Sequence, residues 1–233
     1  MKNIRFDVVT LVPQSVFSLR TLGVIGKAFT MNIAELYIHN PRDYAEGNYR
    51  KVDDEPYGGG SGMLLKPEPV FATVEAIPIV NQRRILIMSP QGKLIHQVDL
   101  QRWANTYKQL ILICGHYEGF DERIRALADE EISIGDFVIT GGELPAMIVV
   151  NGVTRLLPGT LGKSECLGQE SHSNSLLEYP QYTRPAKFRE MEVPAVLKSG
   201  DHTAIKQWRL NQQKIRTIQR RPDLVSMKDS IRK

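Results

Sequence analysis

The sequence predicts an α/β fold with a largely parallel sheet, followed by a small helical C-terminal domain, and three observations lead there. Short runs of branched apolar residues alternate with segments of helical spacing, the pattern of strands covered on both faces by crossover helices. Each run is followed by a Gly, Pro or polar break. Charge is also segregated along the 233 residues: positions 184–233 hold 13 Lys or Arg against 5 Asp or Glu, a net +8, while the preceding part carries −4.

In chain order, Ile4–Val9, Ile33–Ile38, Arg84–Met88 and Leu110–Cys114 read as buried strands, and Ile132–Ile139 as one more. Their apolar runs are short and rich in Ile, Val and Leu, which suits positions buried on both sides of a sheet. Between them Glu68–Ala76, Gln97–Thr106 and Asp121–Ala128 have helical spacing, and Leu144–Val150 reads as a helix behind the turn Thr140-Gly141-Gly142. Pro158 to about Ser175 is rich in Gly and Ser without apolar periodicity, so it reads as an interdomain linker. Beyond Pro185, His202–Ile218 places Ile205, Trp208, Leu210 and Ile215 among basic and amide residues, which predicts an amphipathic helix. The expected division is 1–159 for the core domain, 160–175 for the linker and 176–233 for the helical domain.

An apolar fraction of 42% and a charged fraction of 24% are those of an ordinary globular protein. No apolar run reaches the ~18 residues of a membrane span, and Met1-Lys2-Asn3-Ile4-Arg5 leads straight into a strand, so no membrane association and a cytoplasmic location are expected. The two cysteines, Cys114 and Cys166, lack CxxC spacing, which argues against a disulfide framework or a zinc site; Cys114 reads as a small buried hydrophobe. The basic C-terminal segment suits a polyanion-binding appendage, and a solvated helical face would look similar.

Four loops are candidates for a pocket: Tyr57-Gly58-Gly59-Gly60-Ser61-Gly62-Met63, Ser89-Pro90-Gln91-Gly92, Gly115-His116-Tyr117-Glu118-Gly119, and Ser133-Ile134-Gly135-Asp136 running on to Thr140-Gly141-Gly142-Glu143. Any one alone reads best as a tight turn. Three of them follow sheet strands, where pockets of parallel sheets form, and glycine lets a backbone approach a ligand closely. Gly159-Thr160-Leu161-Gly162-Lys163-Ser164 ends like a phosphate-binding loop, but the position that should hold its first glycine is Leu157, so a nucleoside triphosphatase is disfavoured. No GxSxG elbow or HExxH pair supports a hydrolase.

Taken together in this order, these loops, with Asp121-Glu122-Arg123, Gly141-Gly142-Glu143-Leu144-Pro145 and Tyr182-Thr183-Arg184-Pro185, resemble the bacterial tRNA (guanine-N1)-methyltransferase family over nearly the whole chain. The resemblance implies a SPOUT-type α/β catalytic domain with a deep trefoil knot, a topology that ordinary connection rules make rare. It implies S-adenosylmethionine as methyl donor, held by Ser89, Pro90, Gly115, Tyr117, Ile134, Gly135, Ile139, Gly141 and Gly142, with Gly59 near the same site. For Ile134 and Ile139 a plain core role competes. Glu118 matches the family's loop glutamate and would face the donor's cationic end, with a helix N-cap as the alternative.

The implied substrate is tRNA at its anticodon region, with guanosine 37 methylated at N1. A base must remove the N1 proton, and a donor or cation must stabilise charge developing at O6. By motif position the resemblance assigns O6 stabilisation to Arg155, against a surface arginine closing a helix, and proton removal to Glu170, where the family carries aspartate. Glu165 and His172 are local competitors for the base. His116 replaces an arginine common in the family's loop and reads as a lone imidazole. The linker would order over the flipped guanosine, and the basic domain would hold phosphates, with Lys206, Arg209, Arg216, Arg220 and Arg221 as candidates; Trp208 reads as a core anchor. A symmetric homodimer is implied, and related enzymes use magnesium, although no metal-ligand set is legible here. Competing readings are a SPOUT methyltransferase for another RNA nucleotide and a noncatalytic tRNA-binding module.

Overall fold

The computed structural model describes residues 3–162, 168 and 170–225, so Glu165, Cys166 and the Lys163-Ser164 end of the phosphate-loop look-alike lie outside the described residues. The chain forms two compact units, Met1–Gly162 and Lys163–Lys233.

In the first unit the elements are β1 (Ile4–Val9), α1 (Pro13–Phe17), α2 (Gly23–Thr30), β2 (Ala34–His39), β3 (Asp53–Asp54), β4 (Leu64–Leu65), α3 (Pro67–Ala76), β5 (Arg83–Leu94), α4 (Gln97–Thr106), β6 (Gln109–Cys114), β7 (Glu130–Ser133) and α5 (Glu143–Thr154). Five strands pair in the order β2-β1-β6-β5-β7, every pair parallel. The central strand β6 is buried at every position. Its alternate residues feed two cores: Leu110, Leu112 and Cys114 pack with Val16, Ala28, Trp103 and Val149 from α1, α2, α4 and α5. Ile111 and Ile113 pack on the other face with Val70 and Val74 of α3 and with Ile124. Each such fully buried aliphatic side chain contributes roughly 1.5–3 kcal/mol.

Two elements differ from their expected form. Ile132–Ile139 is strand only as far as Ser133. Beyond it Gly135 has φ +155°, and its N–H bonds the Ser133 hydroxyl at 3.1 Å instead of a neighbouring strand. Asp121–Ala128 contains a 3-10 helix, Glu122–Leu127, capped by Asp121, whose carboxylate accepts the Arg123 N–H at 2.9 Å.

Strand β5 outruns its apolar segment. Met88 and Lys93 both register against Ile132, so the intervening residues, Ser89 to Gly92, leave the ladder and return to it. A side chain at Gly92 would place its Cβ 2.4 Å from the Ile132 nitrogen, which explains glycine at the point of return.

Glu130, at the start of β7, ties the sheet to α4. It accepts hydrogen bonds from Arg84 Nε (2.7 Å), Arg102 Nη2 (2.7 Å) and Trp103 Nε1 (3.2 Å). Burial raises its carboxyl pKa, but the arginine and tryptophan hydrogen bonds outweigh that and bring it down to about 2. A depressed carboxylate adds stability above its unfolded value near 4.5 that is lost as pH falls toward 2. Glu130→Gln is therefore expected to lower stability by roughly 1–3 kcal/mol at neutral pH, the deficit shrinking between about pH 4.5 and 2. Urea denaturation across that range checks this; a deficit independent of pH contradicts it.

The second unit holds a two-stranded antiparallel ribbon, β8 (Lys187–Phe188) with β9 (Met191–Glu192), then α6 (Ala195–Lys198) and α7 (His202–Arg220). Asp201 caps α7, its carboxylate accepting the Thr203 and Ala204 N–H groups at 2.9 and 3.0 Å. Inward-facing positions recur at Ile205, Trp208, Gln212, Gln213, Arg216 and Thr217, a helical period. Leu210 and Ile215, expected on that face, lie off it and are exposed. The preceding segment is fastened to α7 where the Leu177 N–H donates to Thr217 Oγ1 at 2.9 Å. Among the described residues no helix is long and apolar enough to cross a membrane.

Candidate functional site

Beyond Met88 of β5, Cys114 of β6 and Ser133 of β7, the sheet opens onto a cavity of about 290 Å³. Small-molecule sites run from ~300 Å³ upward and favour the carboxyl ends of parallel strands. Ser89 and Pro90 reach it from the displaced segment of β5. Gly115, Tyr117 and Glu118 line it from the turn after β6, Ile134, Gly135 and Ile139 from the loop after β7, and Gly141 and Gly142 from the turn that starts α5. Segments separate in sequence thus meet around one cavity.

Backbone geometry holds these turns. Tyr117 sits in the left-handed region at φ +61°, and its hydroxyl accepts a long bond from Arg42 Nη2 at 3.4 Å. Such a conformation in a residue with a side chain costs on the order of 1 kcal/mol. Gly142 N–H donates to the Gly115 carbonyl at 2.9 Å, drawing the α5 turn against the β6 turn. A Cβ at Gly142 would lie 2.6 Å from Cys114 Cα and 2.8 Å from Gly115 N, so this contact requires glycine. The Ser133 hydroxyl donates to the Gly135 carbonyl at 3.0 Å, and Ser89 Oγ accepts the Gln91 N–H at 3.1 Å.

Ile134 and Ile139 are not core residues: the first is half-buried and the second 37% exposed, both on the cavity wall. Glu118 is exposed and caps no helix, since Asp121 fills that position before the 3-10 turn. Gly59 does not line the cavity. Its loop reaches the site through neighbours: Leu64 lines the wall, and a Cβ at Gly62 would come 2.3 Å from Glu118 Cγ. Arg155 is also absent from the lining; it is the C-cap of α5, its N–H donating to the Asn151 carbonyl at 3.1 Å. Glu170 belongs to the second unit, where its carbonyl accepts from the Ser173 hydroxyl at 2.7 Å. His172, its local competitor, adopts φ +70° in the same turn.

His116 is not a lone imidazole. Its Nε2 lies 2.6 Å from Glu143 Oε1, and Thr10 Oγ1 donates to the same oxygen. Burial raises the Glu143 pKa, but the hydrogen bonds from His116 and Thr10 prevail and hold it below the ordinary carboxylate value. Cys114, fully buried behind this group, has its thiol pKa pushed well up by burial and by the nearby Glu143 charge. Glu143 stands inside a sequence motif, but no local pattern signals a partner 133 residues away. Gln91, Glu122 and Thr140, members of the quoted motifs, also line the cavity, as do Phe120, Arg125, Phe137 and Val138, which no motif included. Arg125 is committed to Glu122 at 2.8 Å and to Glu131. Among the described residues no group of three or more His, Cys, Asp or Glu side chains is placed to hold a metal ion.

Comparison with known proteins agrees with this geometry. The family model described as tRNA (Guanine-1)-methyltransferase TrmD matches residues 4–227. The chain is 68% identical over 224 residues to a protein of Synechococcus sp. (strain RCC307) named tRNA (guanine-N(1)-)-methyltransferase, covering 96% of this chain and 94% of that one. Proteins of the same name from Nostoc punctiforme (strain ATCC 29133 / PCC 73102) and Trichodesmium erythraeum (strain IMS101) are 55% and 54% identical, with 95% and 97% of this chain and 93% and 100% of theirs covered. A match of this extent, on a parallel sheet whose motif loops meet at one cavity, shows that the chain belongs to the tRNA (guanine-1)-methyltransferase TrmD family.

Proposed function

We propose that the chain transfers a methyl group from S-adenosylmethionine to N1 of guanosine 37 in tRNA. The observation that carries this reading is the meeting of the family's motif loops at one cavity beyond the strand ends. The walls fit a flat, polar-edged nucleoside held by backbone groups, because Gly115, Gly135, Gly141 and Gly142 line the cavity with main chain instead of side chains. The bound donor supplies an electrophilic methyl on a sulfonium. Glu118, on the wall, provides negative charge for the donor's cationic end.

In this reading Glu170 takes the N1 proton as the nitrogen attacks, and Arg155 donates toward O6, where charge develops. The domain division at 159 and 176 then has a mechanical sense. The segment 160–175 brings the base to a guanosine flipped out of its stack, and residues 176–233 hold tRNA phosphates through Lys206, Arg209, Arg216, Arg220 and Arg221. The trefoil knot of the SPOUT class belongs to the same reading, as does a cytoplasmic location. None of these steps is assigned to magnesium.

The donor pocket and the base-bearing linker are completed across a C2 homodimer. Supporting this, Leu22, Phe137, Leu144 and Ile148 form an exposed apolar band, 46–61% accessible, beside the cavity. Sedimentation is expected to give a dimer; a stable, fully active monomer contradicts it.

Labelled methyl transfer to unmodified transcripts carrying guanosine or adenosine at position 37 tests the acceptor. Transfer to guanosine alone is expected; transfer at other positions favours another SPOUT specificity, and donor binding without transfer favours a noncatalytic tRNA-binding module. Gly142→Ala is expected to cost roughly 1–3 kcal/mol of stability through overpacking against Cys114 and Gly115. Binding of S-adenosylhomocysteine should be lost with it. Thermal melting with and without that product checks both effects, and an unchanged ligand-induced shift contradicts the cavity assignment.

A further inference from the structure

The structure assigns Glu143 a role as a positioning residue for the donor, exerted through His116; this rests on the methyl-donor reading of the cavity. Glu143 does not line the cavity, whereas His116 does. Glu143 is 7% exposed, and its Oε1 receives both the Thr10 hydroxyl and, at 2.6 Å, His116 Nε2. Thr10 Oγ1 in turn accepts the Val12 N–H at 2.9 Å. One oxygen therefore joins the end of β1, the turn after β6 and the first turn of α5.

A purely structural reason for the carboxylate is weak. An acid in the first turn of a helix gains only about 0.3–1 kcal/mol from the helix dipole, and an exposed one gains it as well. Burying a carboxylate costs several kcal/mol before partners compensate. What the burial provides is placement. His116 stands between Gly115 and Tyr117, both on the cavity wall, and its ring is wedged against the opposite wall: a Cβ at Gly141 would lie 3.1 Å from His116 Cε1 and 2.6 Å from Glu143 Oε2. With the ring fixed, the Gly115–Gly119 turn and the Gly141–Gly142 turn, which both line the cavity, are held at one spacing. Glu143 reaches the ligand only through that spacing, so its loss should weaken donor binding and leave tRNA binding alone.

The test is calorimetric titration with S-adenosylhomocysteine on wild type, Glu143→Gln, His116→Ala, His116→Gln and the Glu143→Gln/His116→Ala double variant, with steady-state kinetics alongside. Each of Glu143→Gln and His116→Ala is expected to weaken binding about tenfold, and the double variant no more than either, because both break one coupling. The donor KM should rise while the tRNA KM and the kcat at saturating donor stay within about twofold. His116→Gln, whose amide can still donate to the carboxylate, should recover most of the affinity. Unchanged affinity in Glu143→Gln, losses that multiply in the double variant, or equal rises in both KM values with a lowered Tm would overturn the assignment. Should Glu143→Gln fail to fold, the His116→Ala and His116→Gln pair decides alone, and equal affinities in the two overturn it. A wild type that does not bind the probe overturns the donor reading beneath it.

Discussion

Glu170→Ala is expected to lower methyl transfer by about 10²–10⁴-fold, the range contributed by a positioned general base, while donor binding stays as in wild type. Guanine N1 carries its proton at neutral pH, and its lone pair is delocalised into the ring, so attack on the methyl requires the proton to leave in the same transition state. The carboxylate of Glu170 is one methylene longer than the aspartate of the family pattern. The turn it occupies is closed locally, with the Glu170 carbonyl accepting from the Ser173 N–H and hydroxyl and the Ser171 hydroxyl accepting the Glu178 N–H at 3.0 Å. Under the proposed role Glu170→Asp should therefore retain most activity, since it keeps a carboxylate on this turn. Single-turnover kinetics with saturating donor and tRNA separate the outcomes: full activity in the alanine variant would move the base to another residue, His172 being the described alternative.

Arg155→Ala is expected to cost about 10²–10³-fold in kcat, the usual effect of removing one donor to developing negative charge. Arg155 ends α5, and a cation there also interacts with the helix C-terminus, worth about 0.3–1 kcal/mol. The two roles separate cleanly. A helix-terminal role lowers Tm and leaves kcat intact, whereas the catalytic role lowers kcat with Tm and donor affinity held. Arg155→Lys keeps the charge but not the planar fork, so it should recover only part of the loss. A kcat within twofold of wild type in Arg155→Ala contradicts the assignment.

The parallel sheet was legible because β6 buries both faces and so carries an unbroken apolar run, Leu110–Cys114, while β1 keeps four apolar residues around Arg5 and Asp7. The return of β5 through Gln91, Gly92 and Lys93 was not, since polar residues at a ladder's end carry no strand period. The loop from Ile134 to Ile139 misled for the opposite reason: its apolar side chains face a cavity and an exposed band, not a core. The ribbons β3–β4 and β8–β9 have two residues per strand, too few to show alternation. On α7 the polar residues Gln213 and Thr217 took buried positions that an apolar pattern would have given to Ile215.

Within the site, glycines read as turns in the sequence became cavity walls once the strand ends were brought together. Their roles came from motif order, because a glycine carries no chemistry of its own. The Thr10–Glu143–His116 network was invisible to any local reading, its members lying on three segments that meet only after the sheet forms. Arg155 and Glu170 owed their candidacy to family resemblance, as neither position stands out by spacing or composition.

The most direct measurement is nucleoside analysis of tRNA after reaction with wild-type protein and S-adenosylmethionine carrying an isotopic methyl label. The expected product is 1-methylguanosine bearing the label, at position 37 and nowhere else; label on a ribose hydroxyl or on another base, or donor bound with no label in tRNA, contradicts the proposed reaction.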